Sequence, residues 1–168
     1  MALLVRKIEI AKWRQNNIIS GADASADAIT NCMKTTSNKL STWKIENSDK
    51  INEAVLATIS NFQKFDKTDY IILEETFLSD NGLKIIPFPG NTPVYDLIDT
   101  HYDIVDLTYS SLGILKNQVI EHIKAEKVIR ITARESKKIL LKAIDEQRVD
   151  IDKLHPELQS KIKKEPLK

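Results

Sequence analysis

The chain has 168 residues, 42% of them hydrophobic and 29% charged, the make-up of an ordinary folded domain. Its 25 Lys and Arg against 24 Asp and Glu leave a net charge of +1, so no chain-wide field draws it onto nucleic acid or an anionic membrane. Four Gly and five Pro argue against long flexible linkers and low-complexity classes, and the single cysteine, Cys32, can neither close an intrachain disulfide nor build a thiolate metal site.

In chain order, the apolar start is broken by Arg6 and Lys7, so no export signal is expected, and the stretch from Leu3 alternates as a strand ending near Trp13. Arg14 to Asn17 reads as a turn. Ser25 caps a helix through Lys34, with Ala26, Ile29 and Met33 at helical spacing and Cys32 as a buried thiol at the edge of that stripe. Leu40 to Ile45 alternates as a second strand, and Ser48 caps a helix that turns Ile51, Val55, Thr58 and Phe62 to one side. Asp69 to Leu78 is a third strand. After the turn Asp80-Asn-Gly82, residues 83–88 return as a fourth, kept to an edge by Pro87.

Pro87, Pro89, Gly90 and Pro93 then mark a joint. With Thr92 as N-cap and Pro93 at the first helical position, the spacing predicts a helix that gathers Leu97, Ile98, His101, Ile104, Val105 and Leu112 on one side. Asp96, Asp99, Asp103 and Asp106 fall together on the opposite side. Another amphipathic helix covers about 115–125, and a short strand or turn at 128–131 precedes a capping box, Thr132 with Glu135, that opens a helix through Gln147. Pro156 starts a last short helix. The reading is an α+β fold: a small mixed sheet with two helices over 1–90 (β-α-β-α-β-β), packed against a mainly helical part over 91–163, with a frayed tail at 164–168.

Residues 91–112 contain four Asp and no Lys or Arg, whereas 113–148 carry nine basic residues against five acidic ones. The plain reading of both blocks is the solvated face of an amphipathic helix. The sharper one is that the row Asp96, Asp99, Asp103 and Asp106 docks a basic partner, and that Arg134, Lys137, Lys138 and Lys142 meet an acidic partner or phosphates. A helical row rising about 1.5 Å per residue spreads its carboxylates too far to hold one divalent ion, so no metal is expected.

None of His101, His122 and His155 belongs to a zinc motif, and no phosphate-binding glycine loop or Gly-x-Ser-x-Gly elbow occurs. His101 reads as a hydrogen-bonded core histidine, and no cofactor is expected. Arg6, Ser41-Thr42 and Glu74-Glu75, on successive strands, follow an order that resembles ADP-ribosyltransferases, which would imply Arg and Ser holding NAD and a Glu stabilising the ribosyl cation. Neighbouring glutamates on a strand point to opposite faces, however.

The composition resembles that of small bacterial proteins. The expectation is a cytoplasmic, non-catalytic accessory or adaptor subunit that binds another protein within a bacterial multi-protein system, such as one for defence or toxin control. It has no membrane span, and homo-oligomerisation is left open. Nucleic-acid binding through the basic C-terminal helix is one alternative, and an ADP-ribosyltransferase-like enzyme is a second.

Overall fold

The computed structural model describes residues 2–13 and 23–164; the expected turn at 14–17 and all but the first residue of the expected tail at 164–168 lie outside them, and Lys164 is helical. Among the described residues, β1 (Leu3–Ile8), β2 (Leu40–Ile45), β3 (Thr68–Glu74), β4 (Lys84–Pro87), β5 (His101–Val105) and β6 (Ile129–Ile131) form one sheet in the order β4-β5-β2-β1-β3-β6. Helices α1 (Ile10–Trp13), α2 (Ala26–Cys32), α3 (Ile51–Ile59), α4 (Glu75–Asp80), α5 (Tyr109–Lys124), α6 (Ala133–Asp145) and α7 (Pro156–Lys164) connect and cover the strands. The fold is α+β. Every strand pairing is antiparallel, whereas the expected sheet was mixed.

Side chains alternate across a strand, so neighbouring residues feed opposite layers. Leu4 and Ile8 of β1 join Ile71, Leu73 and Ile104 in a core closed by Ala28 and Cys32 of α2 and by Leu115, Val119 and Ile123 of α5. Val5, one residue along, joins Ile45, Tyr70 and Ile131 in a second core under α3, α6 and α7, where Val55, Leu140 and Leu158 are fully buried. Helices therefore lie on both faces.

Local signals placed many of these elements. Ser25 Oγ accepts from the Ala28 N–H at 3.1 Å, β2 has the expected limits, and Thr132 and Glu135 close their reciprocal capping box at 2.7 and 3.2 Å. Other boundaries move. The first strand ends at Ile8 before the single turn α1, a 3-10 turn over Ser48–Lys50 precedes α3, and Glu75 to Asp80 is helix rather than the end of β3.

The main correction concerns 93–112. Instead of one helix, Tyr95–Thr100 is a 3-10 segment, His101–Val105 is β5, and α5 starts at Tyr109 behind a Thr108 cap. β5 lies between β4 and β2, and β6 borders β3, so the mainly helical C-terminal half supplies two strands to the sheet begun by the first half. The reason is local as well as topological: His101-Tyr-Asp-Ile-Val105 alternates like a strand, and Asp106 takes a left-handed φ of 55°, which an Asp tolerates and which stops the strand.

Candidate functional site

Helix α6 carries the four basic residues Arg134, Lys137, Lys138 and Lys142. Its inner face is fixed by Leu140, Leu141 and Ala143, and its N-terminus by the capping box. Arg134, Lys138 and Lys142 stand exposed at successive intervals of four residues. At about 1.5 Å per residue they form a ridge about 12 Å long. Lys142 is within 3.7 Å of Glu146, and Lys137 is half-buried on the flank. The Glu135 carboxyl is held below the usual range, first by the Thr132 backbone N–H and then by its hydroxyl, so it stays charged beside the ridge.

The acidic row does not form, because the helix that would have aligned it is absent. Asp96 sits on the 3-10 segment and accepts from Arg148 Nε at 3.0 Å; Arg148 also binds Glu53, and the two carboxylates, Glu53 first, raise its pKa. Asp99 is exposed on the same segment, lining a hollow with Lys44 and Glu46. Asp103, on β5, is 5% exposed and accepts from Ser41 Oγ at 3.2 Å. Asp106 follows β5, exposed, 3.4 Å from Lys84. The structure thus spreads the four over a 3-10 turn, a strand and a strand end.

Arg6 and Ser41 do meet, but not as a ligand grip. Arg6 Nη1 donates to the Ser41 carbonyl at 2.8 Å, and Nε and Nη2 donate to the Cys32 carbonyl at 3.3 and 3.0 Å. Burial lowers the Arg6 pKa, opposed in part by Cys32. The glutamates stay away: Glu74 pairs with Leu3, three residues along β1 from Arg6, and Glu75 begins α4 with its carboxylate 3.0 Å from Lys44. Strand spacing puts that separation near 10 Å.

The histidines are turned to local backbone. His101 Nδ1 donates to the Phe88 carbonyl at 2.9 Å, which leaves Nε2 3.8 Å from Asp103 Oδ1. It is a buried, hydrogen-bonded histidine as expected, on a strand rather than a helix. His122 Nδ1 donates to the Gln118 carbonyl at 2.8 Å, and His155 Nδ1 accepts from the Glu157 N–H at 3.3 Å. Cys32 is buried, its Sγ accepting from the Glu9 N–H at 3.1 Å. Its proximity to Arg6 was hidden by a separation of 26 positions along the chain.

Among the described residues, no group of three or more His, Cys, Asp or Glu is placed to hold a metal ion, and no helix is long and apolar enough to cross a membrane. Compared with known proteins, the chain matches no family model, no curated protein and no solved structure.

Proposed function

We propose that the protein acts by binding: a non-catalytic, cytoplasmic accessory or adaptor subunit of a bacterial multi-protein system that presents the α6 ridge to an acidic surface of a partner protein. The observation that carries this reading is the exposure of Arg134, Lys138 and Lys142 along one line of a helix whose opposite face is locked into the core. Such charges are already in place before the partner arrives, so complementarity costs little reorganisation and serves orientation and association rate.

Protein is favoured over nucleic acid by the company the ridge keeps. Glu135 lies at its start and Asp145 and Glu146 at its end, all exposed. A uniformly anionic polymer would meet repulsion at both ends, whereas a protein surface can answer mixed signs. The ridge is also mainly lysine, while base-edge reading leans on bidentate arginine.

The test is affinity capture of the tagged protein from its source cells beside the triple variant Arg134→Glu, Lys138→Glu, Lys142→Glu. The expected result is a stoichiometric protein partner, unaffected by nuclease, that the variant loses while its melting temperature stays within a few degrees of the parent. Retention of that partner by the variant, or a nuclease-sensitive complex, contradicts the reading.

A further inference from the structure

Where β1 leaves the sheet, its continuation through Glu9 to Ala11 parts from the loop between α3 and β3, and a hollow of about 620 Å³ opens between them. Its lining includes the half-buried Phe62 ring and the charged side chains Lys7, Lys64, Lys67 and Arg130, while Ile8 and Ile10, 3% and 7% exposed, are spent on the first core. The size falls within the range of sites for small organic molecules, roughly 300–1,000 Å³.

The charges of this lining are not all spent on one another. Asp69, 6% exposed, takes Arg130 Nε at 2.8 Å and Nη2 at 3.4 Å, which fixes the guanidinium and leaves Nη1 outside the pairing. Asp66 takes Lys64 at 3.2 Å. Lys67 is exposed, and the Lys7 ammonium stands 4.5 Å from the Phe62 ring centroid; among the described residues neither has a carboxylate within ion-pair distance. Glu9, exposed, is the third acid of the lining.

A compact polyvalent anion suits this arrangement, because several cations can approach its oxygens at once and an arginine fork already anchored on a carboxylate loses little freedom on binding. The half-buried Phe62 ring in the lining asks for carbon beside the anion. A second hollow, about 400 Å³, adjoins along Lys7, Ile8 and Glu9 and adds the polar side chains of Asn31, Ser41 and Thr58.

The geometry points to a binding site for an organic phosphate, its phosphate held by Lys7, Lys67 and the free edge of Arg130, and its carbon skeleton laid against Phe62. The site is separate from the α6 ridge and stands or falls independently of it. A free nucleotide and the end of a single-stranded nucleic acid both present this chemistry.

Calorimetric titration of the full chain with inorganic phosphate, adenosine, adenosine 5′-monophosphate and an oligothymidylate of eight nucleotides tests it. The monophosphate is expected to bind in the submillimolar range, at least about tenfold tighter than adenosine or inorganic phosphate. The double variant Lys7→Glu, Lys67→Glu is expected to lose about tenfold or more, and Lys138→Glu on α6 to lose nothing. Should the double variant fail to fold, Lys67→Glu alone, at an exposed position, carries the test. Binding of the oligonucleotide tighter than the monophosphate identifies a single strand as the source, and equal or weaker binding a free nucleotide. Failure of both to bind by about 10 mM, a monophosphate no tighter than inorganic phosphate, or an equal loss in Lys138→Glu overturns the proposal.

Discussion

Arg6 of β1 donates to the carbonyl oxygen of Ser41 on β2 across a seam where the two strands no longer pair. Both strands run on past their last paired rung, Val5 with Trp43, yet from there the guanidinium replaces the ladder and ties in the end of α2 through Cys32 as well. Removing it strands the Cys32 carbonyl at a partly buried joint and leaves the exposed Ser41 carbonyl without its protein donor. Arg6→Met is expected to lower the unfolding free energy by about 2–4 kcal/mol in urea titrations. Arg6→Lys should recover less than half of that, since one ammonium cannot reproduce a fork spanning two acceptors. A loss below about 0.5 kcal/mol would mean the seam is held by something else.

Asp99 and Asp103 were grouped by spacing, and the structure separates them. Asp99 is exposed, so Asp99→Lys should leave stability within about 0.5 kcal/mol. Asp103 is buried against Ser41, and Asp103→Lys places an ammonium where His101 already presents a ring nitrogen. That change is expected to cost about 3 kcal/mol or more. Equal, small effects in thermal melts would restore the helical row.

Gly90 is where the loop after β4 presses on the aromatic pair Trp43 and His101. A Cβ there would come 2.6 Å from Trp43 Cη2 and 2.8 Å from His101 Cβ. Gly90→Ala is expected to destabilise by about 1–3 kcal/mol. Gly113, inside α5, has open space at the same position, and Gly113→Ala should stabilise by about 0.5–1 kcal/mol. Opposite signs in one denaturation series are the expected result.

The capping box gives a pH dependence of known sign. The folded chain holds the Glu135 carboxyl below its ordinary range. Its contribution is therefore complete above the unfolded value, about 4.3, and fades as pH falls through the lowered folded value. NMR titration should place the Glu135 midpoint below 4.3 or so in the parent. Thr132→Val should return it only part of the way, because the larger cause is the Thr132 backbone N–H, which the substitution keeps.

How far the sequence could be read depended on whether the deciding interaction was local. Thr132 and Glu135 lie three residues apart and announce α6, and the alternation of Leu40 to Ile45 gave β2 its limits. Over His101 to Val105 a helical and an alternating pattern both fit. What decides for strand is pairing with Lys84 to Pro87 on one side and Leu40 to Trp43 on the other. The acidic row fell with that choice. Likewise no spacing rule brings Arg6 to Cys32 and Ser41, 26 and 35 residues away, or Arg130 to Asp69 at 61. The basic residues of α6 were legible because a capped amphipathic helix fixes its outer face by itself.

Hydrogen exchange of the chain, alone and mixed with the acidic partner protein that the proposed reading requires, tests the central claim most directly. The account predicts slowed exchange concentrated on peptides covering Arg134 to Lys142, with the β4 edge from Lys84 to Pro87 unchanged. Protection on that edge with α6 left bare, or identical exchange in the two samples, would contradict it.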